Sequence, residues 1–230
     1  MSNLYCALDT TDLTQAETLT ASLGEAVDGI KLGLEFFGAN GPKGVAKLTT
    51  AERPVFLDLK LHDIPNTVAG AVRALLPLEP AILTIHASGG SAMMRAAAEA
   101  ASEADERRPK IVGVTILTSL DGSDLARMGW QAEVSDAARR LAEEARTNGL
   151  DGVVCSPHEA ARLRADQGPD FLLVVPGIRP SWAASGDQKR VMTPGEAAAA
   201  SADVLVVGRP ITGADDPGEA ARRIAAEIAA

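Results

Sequence analysis

The chain has 230 residues, 46% hydrophobic and 23% charged, with 31 Asp plus Glu against 22 Lys plus Arg for a formal net charge of −9. That apolar content excludes a disordered chain, and the length supports a core that needs no disulfide or metal. The acidic balance and the few aromatics (four Phe, two Trp, one Tyr) argue against a duplex-DNA binder, an acidic-membrane binder or a protein that stacks successive bases. A small anionic ligand stays compatible, because its site needs only local positive charge.

Short β-branched or leucine-rich runs alternate with Ala/Glu/Arg-rich segments of helical period. Strands are predicted at 4–8 (LYCAL), 27–32 (VDGIKL), 55–60 (VFLDLK), 81–86 (AILTIH), 111–117 (IVGVTIL), 151–155 (DGVVC), 171–175 (FLLVV) and 203–208 (DVLVVG). Helices are predicted between them at 13–23, 40–50, 67–76, 91–103, 133–148, 157–166 and 194–200, with a last one at 216–228. The stretch 120–130 reads as a short extra helix or ordered loop. Cys6 and Cys155 stand far apart in apolar runs, as reduced, packed cysteines of a cytoplasmic protein do. The opening MSNLYCALDT lacks a basic segment followed by an apolar core, and no apolar stretch nears 18 residues, so export and membrane insertion are not expected.

Eight β-then-α units with strands apolar on both faces predict one (β/α)8 barrel over residues 1–230. The alternative is a doubly wound open sheet. It is disfavoured because the first strand runs into ALDTTD, without a Gly-rich phosphate turn. In a barrel, the C-terminal strand ends carry the chemistry. Here those ends are Asp9, Lys31, Asp58 with Lys60, His86, Thr118, the run from Pro176 to Arg179, and Gly208 with Arg209.

A charge inside an apolar strand is costly unless paired, so Asp58 and Lys60 in VFLDLK require partners. Two residues apart on a strand, they share a face. Lys31 ends the neighbouring strand, and Asp63 follows in the turn before a helix opened by Pro65, Asn66 and Thr67. An array Lys31, Asp58, Lys60, Asp63 of alternating sign is expected, as a structural ion-pair network or, at a barrel mouth, as a reactive centre. His62 is expected to point away from Lys60 as a surface or capping residue. His86 either orients a neighbour or is structural. No metal site is expected, since interleaved lysines cancel the negative charge a divalent cation needs.

The loops after strands 7 and 8 often hold phosphate in this architecture. Gly208 leaves room for close approach, Arg209 offers a forked donor, and Arg179 and Gln188 add contacts. The segment 179–193 is long enough for a lid, with Lys189 and Arg190 solvated. Asp215, Asp216 and Glu219 read as N-terminal charges of the last helix.

The segment LDLKLHDIPNTV (57–68) resembles the D-x-K-x-x-D-I-P-N-T signature of orotidine 5′-monophosphate decarboxylases. The likeness continues in order through ALDT, IKLGLEFF, TIHASGG, LTS, VPGIRP, GDQKRVMTP and VVGRPIT, and is to the shorter bacterial form. Ser201 stands where a glycine is common. The resemblance implies cofactor-free conversion of orotidine 5′-monophosphate to uridine 5′-monophosphate and CO2. It implies that Lys60, Asp58, Lys31 and Asp63 act in catalysis, Lys60 stabilising and protonating a C6 carbanion. Asp9 would bind ribose, Thr118 the pyrimidine, and Arg179, Gln188, Gly208 and Arg209 the pyrimidine edge and phosphate, with Ile64 also touching substrate. Asp63 and Thr67 would enter the neighbouring site of a homodimer.

Overall fold

In the computed structural model, which describes residues 2–49, 53–183 and 192–230, eight parallel strands close into a barrel in sequence order. The chain runs β1 (Asn3–Ala7), α1 (Leu13–Ser22), β2 (Gly29–Gly33), α2 (Leu34–Thr49), β3 (Val55–Leu61), α3 (Pro65–Leu75), β4 (Ile82–His86), α4 (Ser91–Ser102) and β5 (Lys110–Val114). It continues through α5 (Gly122–Arg127), α6 (Val134–Thr147), β6 (Gly152–Val154), α7 (Pro157–Gln167), β7 (Leu172–Val175), α8 (Pro194–Ala199), β8 (Val204–Val207), α9 (Arg209–Thr212) and α10 (Pro217–Ala229). The predicted (β/α)8 barrel is therefore the fold.

The strands are apolar on both faces because both are buried. Tyr5, Phe56, Ile82, Val112, Val174 and Val206 fill the barrel, while their neighbours Cys6, Leu57, Leu83, Ile111, Leu173 and Val207 belong to the larger core beneath the helices. Tyr5 and Phe56 meet edge to face with centroids 6.4 Å apart. The Tyr5 ring fits only because residue 29 is glycine: a Cβ there would lie 2.3 Å from a ring carbon. From that floor, the inward parity rises to Lys31 on β2 and to Asp58 on β3, so strand periodicity alone carries these charges to the mouth.

Local chemistry sets the helix ends. Asp12 accepts from the Thr14 amide at 2.8 Å, and Asp216, expected as an N-terminal charge of the last helix, caps it by accepting from the Glu219 amide at 2.9 Å. Asp121 and Asp124 form a capping box that starts α5, the short helix expected in 120–130. Three elements differ from the sequence reading. The second helix begins at Leu34, not 40, because fully buried Phe36 anchors an extra segment that ends in a kink at Gly41 (φ 57) and Pro42. β5 ends at Val114, since Thr115 turns to the β6 carbonyl of Val154 and Ile116 joins a separate small core with Leu125 and Ala138. A short helix, α9, also follows β8 directly. No helix among the described residues is long and apolar enough to cross a membrane.

Candidate active site

Asp58 sits on β3 with 8% of its surface exposed, and both its oxygens are engaged. Oδ1 accepts from the Thr84 hydroxyl at 2.9 Å. Oδ2 accepts from Lys60 Nζ at 2.7 Å and faces Lys31 Nζ at 3.7 Å. Lys31 in turn donates to Asp9 Oδ1 at 3.0 Å. The result is a row of alternating sign, Asp9, Lys31, Asp58, Lys60, whose middle members are nearly out of water. Each lysine faces a carboxylate, and the formal charges of the row sum to zero.

This row corrects the expected array in one position. Asp63 is not part of it; its carboxylate accepts from the Ile64 amide at 2.7 Å, in the exposed turn before α3. The physical reason is local: a short side chain following a strand end satisfies the next free amide before it reaches back three residues. Asp9, assigned to ribose from the resemblance, occupies the outer place. Ile64 is 66% exposed and Thr67 is exposed too, and neither lines the opening formed by this chain.

Lys60 reaches the row by an irregular route. Its φ is 50, the left-handed region, at a bulge where β3 slips against β4. For a residue with a Cβ, this conformation costs roughly 1–3 kcal/mol, so surrounding bonds must hold it. Its amide donates to Thr84 Oγ1 at 2.8 Å. Thr84, with no exposed surface, was assigned no role from the sequence. The signal was its parity: it shares β4's inward face with Ile82, and a hydroxyl there needs a polar partner.

His62 lies at the surface, as expected, and His86 is partly buried. His62 is exposed but not isolated: its ring lies 5.3 Å from that of His86, centroid to centroid. Burial pushes the His86 imidazole below the usual histidine range, and the nearby His62 and Lys60 add to this against a weaker pull from Asp58. His86 is thus favoured as the neutral ring. Burial also pushes the Cys6 thiol up to about 12, with Asp9 adding to it, so this cysteine is inert packing.

The other wall of the opening is apolar, formed by Val114, Ile116, Val154, Val174 and the edge of Cys155. Thr118, Arg179, Gly208 and Arg209 complete a cavity of about 240 Å³ shared with Asp9, Lys31, Asp58 and Lys60. One side of the mouth therefore bears fixed charge, the facing side hydrocarbon, and the rim two guanidinium groups. Gly208 stands against Ala7 and Asp9; a Cβ there would meet the Ala7 side chain at 3.4 Å, an ordinary contact, but the backbone (φ −107, ψ −104) lies outside the regions that residues with a Cβ favour. Arg179 is nearly buried, its Nη1 donating to the Ile178 carbonyl at 2.8 Å and its amide to the Met192 carbonyl at 2.9 Å. Trp182 anchors the next turn on α10, through a 3.0 Å bond to Glu227 and Arg223 stacked 4.5 Å over its ring. Gln188, Lys189 and Arg190, and most of the expected lid, lie outside the described residues.

Residues 2–224 match the family described as orotidine 5′-phosphate decarboxylase / HUMPS. An orotidine 5′-phosphate decarboxylase of Rhodospirillum rubrum is 60% identical, over 98% of this chain and 93% of its own. One from Paramagnetospirillum magneticum is 52% identical, over 98% and 97%. The crystal structure of orotidine 5′-phosphate decarboxylase from Lactobacillus acidophilus superposes with a TM-score of 0.88 at 36% identity, covering all of both chains. In sequence over nearly its whole length and in fold, the chain belongs to the orotidine 5′-phosphate decarboxylase / HUMPS family.

Proposed function

We propose that this protein converts orotidine 5′-monophosphate to uridine 5′-monophosphate and CO2 in pyrimidine biosynthesis, without metal or organic cofactor. The observation that carries this reading is the row Asp9, Lys31, Asp58, Lys60 at the barrel mouth, with Lys60 Nζ 2.7 Å from the Asp58 carboxylate.

Loss of CO2 breaks the C6–carboxylate bond and leaves its electron pair in the ring plane at C6, where no π system delocalises it. Such a charge must be met by a fixed positive group and then by a proton. Lys60 supplies both: its ammonium stabilises the developing carbanion, transfers one proton to C6, and regains it from solvent. Asp58 aims Lys60 through their 2.7 Å contact and lies near the departing carboxylate. Lys31, held between two carboxylates, presents its remaining donor capacity to a ribose hydroxyl, alongside Asp9. The apolar wall receives CO2, which needs no hydrogen bonds.

Thr118 contacts the pyrimidine. Arg179, Gln188, Gly208 and Arg209 hold the pyrimidine edge and phosphate. A glycine at 208, beside Asp9, leaves its backbone open to close approach by the phosphate. Phosphate binding remote from C6 then contributes to lowering the chemical barrier. A divalent cation is disfavoured by the chemistry of the row: Asp58 is already shared by two ammonium groups, and these repel added positive charge.

Asp63 and Thr67, displayed outside their own cavity, act in the site of a second copy, so the working unit is a homodimer, and Ile64 between them also touches substrate. Unreactive, buried Cys6 and buried Cys155 fit a reducing cytoplasm. The test is the loss of the orotate ultraviolet band in EDTA-treated protein. Turnover unaffected by EDTA and lowered at least about 10³-fold in Lys60→Ala is expected. Metal-dependent aldol activity with no decarboxylation would overturn the reading.

A further inference from the structure

The bulge in β3 has an unusual support. Between the pairs Leu57 with Leu83 and Leu61 with Ile85, β3 advances four residues while β4 advances two. Asp58, Leu59 and Lys60 thus face Thr84 without a regular ladder, and a buried backbone amide in such a gap needs another acceptor. The Thr84 hydroxyl is that acceptor for Lys60, at 2.8 Å. The same oxygen donates to Asp58 Oδ1 at 2.9 Å. The directions are fixed, because an amide only donates and a carboxylate only accepts.

One fully buried hydroxyl therefore governs two residues of the row. By holding the Lys60 amide, it stabilises the left-handed backbone (φ 50) from which that side chain turns to Asp58. By occupying Oδ1, it fixes the rotation of the carboxylate and leaves Oδ2 to the two lysines. Valine would fill the same space with neither capacity. Serine would keep both.

We infer that Thr84 is a positioning residue for the reaction, setting the Lys60 backbone and the Asp58 carboxylate through a single hydroxyl. The inference rests on the function proposed above. Misplacement of a reacting group by about 1 Å costs on the order of 10²-fold in rate, which sets the expected effect. Three proteins are compared for turnover of orotidine 5′-monophosphate and for hydrogen exchange at the Lys60 amide: the unmodified chain, Thr84→Val and Thr84→Ser. In Thr84→Val, kcat is expected to fall about 10²-fold with KM within about threefold, and Lys60 amide exchange to rise at least tenfold. Thr84→Ser is expected to stay within about fivefold of the unmodified chain on every measure.

Unchanged kcat in folded Thr84→Val, equal impairment of the serine and valine variants, or an unchanged Lys60 amide would each overturn the inference. A hydroxyl that merely fills a backbone gap would lower the melting temperature of Thr84→Val without this split between kcat and KM. If Thr84→Val does not fold, Thr84→Ala is read by the same criteria, and a serine variant that fails to preserve kcat still refutes the assignment. If the unmodified chain shows no decarboxylation, the proposed function fails, and the amide exchange alone decides whether Thr84 positions Lys60.

Discussion

Replacing Asp58 by asparagine keeps its shape and an acceptor for Thr84 but removes the charge between nearly buried Lys31 and half-buried Lys60. The Oδ2 atom lies 2.7 Å from Lys60 Nζ and 3.7 Å from Lys31 Nζ. At an effective dielectric of about 20, these separations correspond to gross attractions of roughly 6 and 4.5 kcal/mol, much of which offsets desolvation. Breaking a buried ion pair from one side costs about 3–5 kcal/mol. The lower end is expected here, because Lys31 keeps Asp9 and Lys60 retains 27% side-chain exposure at the mouth. About 3 kcal/mol in a chain of this size lowers the melting temperature by roughly 6 °C. Thermal and urea unfolding of Asp58→Asn, Lys60→Met and the double variant measure it. The double variant should be less unstable than the sum of the singles, because removing both partners leaves one fewer stranded charge. Asp58→Asn as stable as the parent, or strictly additive losses, would refute this electrostatic account of the row.

Arg209→Ala should lose about 10²-fold in activity on orotidine 5′-monophosphate and little on orotidine, as removal of a charge-assisted phosphate contact does; equal losses on both would place Arg209 elsewhere. Equimolar mixing of inactive Lys60→Ala and Asp63→Ala proteins, with subunit exchange, should restore about a quarter of the activity, because half the dimers then carry one intact site of two; no recovery would keep Asp63 in its own subunit. Protonation of His86 is disfavoured in the folded state, by burial and by His62 and Lys60. The unfolded chain therefore binds the extra proton more readily. The stability linked to His86 is complete above the unfolded pKa of about 6.5 and is lost as pH falls below it. The melting temperature of the parent should drop more steeply below that pH than that of His86→Gln, and parallel profiles would contradict this.

The legible parts of the site were those carried by regular periodicity. Parity on β2 and β3 brought Lys31 and Asp58 to one opening, and the order of strands brought Thr118, Arg179, Gly208 and Arg209 to the same rim. What escaped depended on irregular backbone. Strict alternation explains the shared face of Asp58 and Lys60 but not the left-handed Lys60, the slipped register or the hydroxyl that supports them. The exclusion of Asp63 from the row likewise depends on a local choice between the Ile64 amide and a more distant lysine. Ser201 shows the converse, since the departure from a common glycine falls at a left-handed position (φ 66) outside the cavity, a strain borne by the fold and not by the site. The first turns of α2 were obscured because Gly38, Gly41 and Pro42 interrupt the helical pattern, while Phe36 supplies the packing that holds them.

The role of Lys60 is most directly tested at C6 of the product. By microscopic reversibility, the group that delivers the proton to C6 also removes it, so uridine 5′-monophosphate incubated with the protein in D2O should lose its C6 proton signal to deuterium. Loss of that exchange in Lys60→Ala, with nucleotide binding retained, is the expected result; exchange at the parent rate in Lys60→Ala would contradict it.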